Sequence, residues 1–184
     1  MSTKEQFIVR LRRARAQHLK WLNYVKLMVT GISVDAAQLP VNQSESVFGS
    51  WLYEEAMVFS TSNSKNVLSE IDAYHTLCYG HFLKIYHTLN SAKSGGLLQN
   101  VFGSRKANDN ELILAQKYYE ELVAASDAMI NRLRLFESQM LATAESKFDE
   151  LVLTCDEPSA HLNIIQPAAP VSKVQRMYRG QPVD

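Results

Sequence analysis

The amino-acid sequence predicts an all-α protein: an antiparallel four-helix bundle with a long C-terminal helix and a flexible tail. Three observations carry that expectation. Residues 41–157 contain no proline, which leaves room for long helices that its ring would kink or stop. Three stretches repeat apolar residues at alternating steps of three and four, the spacing that lays one stripe along a helix and suits nearly antiparallel packing. No segment sustains the period-two alternation of a half-buried strand.

The elements follow in order. In the first stretch the stripe is Phe7, Leu11, Ala14, His18, Trp21, Val25 and Met28. Residues 47–59 are apolar and free of proline, and a shorter helix is expected there. The next stripe is Leu68, Ile71, His75, Cys78, Phe82, Ile85 and Leu89. The last is Leu112, Ala115, Tyr119, Leu122, Ser126, Met129, Leu133, Phe136 and Met140. Gly31, Gly49, the Gly95–Gly96 pair and Gly103 fall between periodic segments. A final helix over 110–151 would run roughly 60 Å at about 1.5 Å per residue, well beyond its neighbours. It must extend past the bundle, break near 138–143, or pack against another chain, and a homodimer built on that surplus is expected. The bundle is placed at 1–155. Pro158, Pro167, Pro170 and Pro182 crowd the remainder, so 156–184 is expected to be a loosely ordered tail. Its run from Lys173 to Gln181 reads equally as a docking peptide or a frayed end. The tetrapeptide Val47–Phe48–Gly49–Ser50 recurs at Val101–Phe102–Gly103–Ser104, too short a match to be a structural repeat.

Composition narrows the function classes. Of the 184 residues, 46% are hydrophobic and 21% charged, the balance of a globular chain and not of a disordered one. Nineteen basic side chains meet nineteen acidic ones, so no overall field marks a nucleic-acid or anionic-membrane binder. No stretch is long and apolar enough to span a bilayer. The two cysteines, Cys78 and Cys155, are too few for a disulfide framework, and Arg10, Arg12, Arg13 and Arg15 stand where a secretory signal needs apolar residues. The expected location is the cytoplasm. Those arginines read first as a solvated helix face and second as a contact for an acidic partner, with Glu45, Glu54, Glu55, Glu70 and Asp72 available to neutralise them internally.

Two histidines, His18 and His75, stand at stripe positions on different helices. Each is either a core histidine satisfied by a hydrogen bond or one half of a shared site between helices. Periodicity does not choose between these. Trp21, Tyr24, Trp51, Tyr53, Tyr74, Tyr79 and Tyr86 fill the core and its margin on the simpler reading, and line a pocket on the other.

The order His18–Leu19–Lys20–Trp21, then Ser46–Val47–Phe48–Gly49–Ser50–Trp51, then His75–Thr76–Leu77–Cys78–Tyr79 resembles the bacterial chemoreceptor zinc-binding (CZB) domain over residues 10–90. The family pattern is a His on the first helix, a Cys-x-apolar-Gly-x-aromatic element and a later His-x-x-x-His pair. The resemblance implies a four-helix bundle holding one zinc ion in a bacterial signalling protein. Two ligand positions depart from it: Ser46 stands for the cysteine and Tyr79 for the second histidine. Structural zinc takes nitrogen and thiolate donors, which a serine hydroxyl and a phenol replace poorly. His18 and His75 are thus the surviving pair, with Cys78 a conceivable substitute ligand and Tyr79 hydrogen-bonding in place of the lost one. No resident cofactor is expected, and any zinc would be held weakly.

Enzyme signatures are missing: no phosphate-cradling loop, no Glu-x-x-His pair, no His-Glu-x-x-His element and no nucleophile motif. The expected function is non-enzymatic regulation in a signalling pathway through a protein partner, without nucleic acid or membrane. The alternatives are a true zinc- or small-ligand sensor completed by Cys78, Glu54 or Asp72, and a plain helical adaptor.

Overall fold

The computed structural model describes residues 2–61, 63–90, 107–153 and the short segments 177–178 and 181–182. Among them are five α-helices, and the fold is all-helical apart from one antiparallel pairing of two residues each, Met177 with Pro182 and Tyr178 with Gln181. The rest of the expected tail lies outside the described residues, as do Cys155, His161, the Gly95–Gly96 pair and the second Val-Phe-Gly-Ser.

Helix α1 (Thr3–Val29) opens on a capping box in which Ser2 and Glu5 satisfy each other's backbone N–H groups. Its inward stripe runs Phe7, Leu11, Ala14, His18, Trp21, Val25 and Val29, the expected series but for its last member. It ends at Gly31, whose φ of +79° suits glycine. Residues 47–61 are not one short regular helix. An α turn, α2 (Val47–Ser50), widens into a π-helical stretch (Trp51–Glu55) and tightens into a 3-10 helix (Ala56–Thr61). Phe48, Trp51, Leu52, Ala56 and Phe59 are all buried. Helix α3 (Lys65–Asn90) buries its predicted stripe from Leu68 to Ile85.

Helix α4 (Asp109–Ala142) starts on a second capping box, Asn108 with Glu111. The surplus length of the last predicted helix is resolved by a break: Thr143 turns extended at φ −69°, ψ 131°. The Lys4 ammonium then donates to the Leu141 and Thr143 carbonyls at 2.7 Å each, placing a cation on the negative end of the helix. Helix α5 (Glu145–Leu153) continues from there with Phe148 fully buried. In the packing, α3 lies along α4 over the greatest length, α1 packs on α4, and α2 sits against α1.

The apolar interior is in two parts. One gathers Phe7, Phe59, Phe136 and Phe148, whose rings meet edge-on or tilted at 5.0–6.2 Å. The other gathers Trp21, Val25, Tyr79, Phe82, Ile85 and Leu122. At the level between them all three long helices turn polar: His18 on α1, His75 on α3 and Ser126 on α4 are each buried.

Candidate functional site

The polar layer is set by helical pitch. His18 follows Ala14 and precedes Trp21, His75 lies between Ile71 and Cys78, and Ser126 between Leu122 and Met129. Each polar residue thus replaces one apolar step of a stripe. His18 is 2% exposed and its Nε2 lies 2.9 Å from Ser126 Oγ. His75 is fully buried, with Nδ1 3.5 Å from the Tyr53 hydroxyl. Tyr53 donates to Asp72 Oδ1 at 2.8 Å and accepts from Gln43 Nε2 at 3.0 Å. Its one proton is therefore spent on Asp72, and the weak contact to His75 requires the imidazole to donate from Nδ1. That tautomer leaves His75 Nε2 as a bare acceptor, and this atom has no hydrogen-bond partner.

The two imidazoles meet a common ring. Phe48 lies 5.4 Å from His18 and 4.9 Å from His75, centroid to centroid. The series continues from His75 to Tyr79 (5.1 Å), from Tyr79 to the stacked Trp21 (5.1 Å) and from Trp21 back to His18 (5.5 Å). Five aromatic side chains from α1, α2 and α3 form a closed circuit.

Phe48 is delivered there by a tight local turn. Ser46 caps α2, accepting from the Gly49 N–H and donating to the Gln43 carbonyl, both at 2.9 Å. A Cβ on Gly49 would collide with that same carbonyl oxygen, so only glycine fits.

Electrostatics keep the layer neutral. Burial, reinforced by the neighbouring His75, pushes His18 down to about 3. Burial pushes His75 down to about 4, with Asp72 opposing. Both rings are uncharged at neutral pH. Burial raises Cys78 to about 12, so its thiol stays protonated. Burial also raises the Tyr79 phenol, which the Ser46 hydroxyl lowers slightly. The two hydroxyls are within electrostatic reach, but the Tyr79 OH lacks a hydrogen bond of good geometry. The expectation that Tyr79 hydrogen-bonds in place of a lost ligand is corrected on this point.

Tested against a zinc ion, these residues fit poorly. The Ser46 hydroxyl gives its proton to the Gln43 carbonyl and accepts from the Gly49 N–H, His18 Nε2 is engaged with Ser126, and the Cys78 thiol and Tyr79 phenol are held in their neutral forms. Among the described residues no three of His, Cys, Asp and Glu gather as a metal-holding group. Cys78 packs in the apolar part with Phe82 and Ile85. Glu54 is exposed and accepts from Ser50 Oγ, and Asp72 serves Tyr53.

A cleft of about 180 Å³ opens beside the circuit, lined in part by His18, Trp21, Ser46, Phe48 and Tyr79. Trp21 and Tyr79 are 6% and 4% exposed, and neither the Trp21 Nε1–H nor the Tyr79 hydroxyl has a partner. Elsewhere, the α1 arginines meet acids within the chain: Arg10 pairs with Glu55, and Arg12 and Arg15 pair with Glu137 at 2.6 and 2.8 Å. Burial works against the Glu137 carboxylate, but the two guanidiniums outweigh it and hold its pKa below the usual range. His81 is buried, 3.1 Å from Glu121, and His87 is exposed.

Sequence reasoning named His18, His75, Ser46 and Tyr79 but missed Ser126 as the partner of His18. The signal was a lone serine at a stripe position of the last helix. Compared with protein families, curated proteins and solved structures, the chain matches none.

Proposed function

We propose that this chain is a divergent relative of the CZB domain: a cytoplasmic four-helix-bundle protein that regulates a bacterial signalling pathway without catalysis. It acts on a protein partner as a homodimer, and its zinc site is degenerate. The observation that carries this reading is the position of His18 and His75. They are buried on one Phe48 ring with Tyr79 alongside, where the resemblance would place a shared site. With Ser46 spent on a helix cap, the polar layer ties α1 to α4 through His18 and Ser126 without an ion. Partner contacts are left to the outer faces of the helices.

Elemental analysis of protein purified without chelator or metal-affinity resin tests the reading. Zinc well below one equivalent is expected. Stoichiometric zinc that disappears in His18→Ala would replace it with a true metal sensor. Sedimentation at high concentration tests the dimer, which a strict monomer would remove. A second reading, a small-ligand sensor, is favoured by the cleft beside the aromatic circuit.

A further inference from the structure

The outer faces of α1 and α4 carry charges that the chain itself leaves unmatched. After Glu5, helix α1 has no acid but bears Arg10, Arg12, Arg13, Arg15, Lys20 and Lys26. Glu55 and Glu137 neutralise Arg10, Arg12 and Arg15. Arg13, Lys20 and Lys26 are exposed and meet no carboxylate among the described residues. On α4 the imbalance is reversed: Glu120 and Asp127 are exposed and meet no cation among the described residues. Large apolar side chains share these faces. Val9 and Leu27 on α1, and Ile113 and Leu135 on α4, are each more than a third exposed. Val9, Ala16, Lys20 and Leu27 follow at steps of seven, four and seven, and Ile113, Glu120 and Asp127 at steps of seven, so each set lies along one strip of its helix. A cleft opens at either end of the α1–α4 seam, one against Val9 and Leu141, the other against Val29 and Ile113.

We infer that the outer face of the α1–α4 pair is the surface on which a second copy of this chain docks, α1 of each copy lying on α4 of the other. The inference names the surface of the homodimer proposed above and rests on that reading. Inside the chain the two helices run antiparallel in a register set by Lys4 at Leu141 and Thr143 and by His18 at Ser126. A twofold axis along the helices carries the second α1 over α4 in the same sense and at the same level, so one register serves both contacts. Lys20 then stands level with Ala124, midway between Glu120 and Asp127. Val9 stands level with Leu135, and Leu27 comes within about one turn of Ile113. Lys117 and Arg134 lie farther from Lys20 on either side, and Arg134 is held by Asn131 at 3.1 Å. A twofold at right angles to the helices would instead lay α1 on its own copy, cation against cation, which like charge opposes. The face is about 40 Å long, the length of the 27 residues of α1, and roughly 20 Å wide across two helices. That is on the order of 800 Å² per copy, the area of a standard stable interface.

Sedimentation equilibrium of the full-length protein tests the surface by exchanging its charges. One variant is Lys20→Glu, and the other combines Glu120→Lys with Asp127→Lys. Each makes both contacts of its own dimer like-charged and is expected to weaken self-association about tenfold. All three side chains are exposed, so each variant is expected to keep the helical circular-dichroism signal of the wild type. Mixed in equal amounts, the two variants are expected to pair with close to the wild-type constant, because every contact in the mixed dimer is again of opposite charge. Lys84→Glu makes the same change at an exposed position of α3 and is expected to leave the dimer as it was. A wild-type chain that stays monomeric removes the homodimer and this surface together. A wild-type dimer that Lys20→Glu leaves intact overturns the surface and keeps the homodimer. Mixed variants that do not pair, or a Lys84→Glu dimer weakened as much as the Lys20→Glu one, also overturn the surface alone.

Discussion

The two halves of the interior are built on different terms. Around Phe7, Phe59, Phe136 and Phe148 the rings interlock in tilted and edge-on pairs, and Trp51 at the margin brings an unpartnered indole N–H. Around His18, His75, Trp21 and Tyr79 polar groups gather, and three of their atoms, the Trp21 indole N–H, His75 Nε2 and the Tyr79 hydroxyl, lack partners. A half-satisfied polar network is less stable than an apolar core of the same shape. The first half is therefore where the fold is held. The second holds residues whose retention stability does not explain, the pattern expected of a site.

The contrast can be broken by substitution, and the largest effect belongs to the first half. Phe136→Ala should destabilise by about 3–5 kcal/mol in urea unfolding, since it removes a fully buried ring and leaves a cavity. An effect below about 1 kcal/mol would mean that half is not close-packed. Between pH 7 and 5, acid should act through the second half. His18 and His75 titrate at about 3 and about 4 in the folded chain, against 6.5 in the unfolded one. Below pH 6.5 the unfolded state binds the more protons, so their contribution is fully present above that pH. It is lost as pH falls toward the folded values, at about 1.4 kcal/mol per ring per pH unit. Chemical denaturation between pH 7 and 5 should show this slope, and His18→Leu should roughly halve it.

The histidines should also differ from each other. His18→Leu strands the Ser126 hydroxyl and should cost about 1–3 kcal/mol at pH 7, recovered in part by adding Ser126→Ala. His75→Leu removes an unpartnered nitrogen and should be neutral or stabilising by about 1 kcal/mol in the same assay. Equal costs would show that the long His75–Tyr53 contact stabilises the fold as much as the His18–Ser126 bond does. The smallest effect serves as a control. Gly80 sits exposed inside α3 with open space where a side chain would go. Gly80→Ala should stabilise by about 0.8–1 kcal/mol through helix propensity, without changing the pH slope.

Much of this was legible in the residues. The stripes placed Leu11, Ile71, Phe82 and Leu133 inside because a 3.6-residue period leaves little choice. The same count put His18 and His75 inward. Excess length alone announced a break near Thr143, although two other outcomes were equally consistent with it. What stayed hidden depends on pairing across the chain. Ser126 was in view as a stripe residue, but nothing local says that it faces His18 at 108 residues' separation. The pitch changes over 47–61 leave no mark in the residues, because Phe48, Trp51, Leu52, Ala56 and Phe59 are spaced as the stripe of one regular helix. Glu137, which takes both Arg12 and Arg15, was likewise unreadable, since ion pairs follow the packing and do not direct it.

The grip of Lys4 on the end of α4 has a consequence for how the protein is born. Its amino group must wait for carbonyls 137 and 139 positions later. At about 5–20 residues per second, translation needs on the order of ten seconds to deliver them. For the first part of that interval, until Phe59 and Tyr79 are made, the first helix emerges from the ribosome with Phe7 and Trp21 uncovered. A chaperone that shields nascent apolar stripes would find its longest opening there.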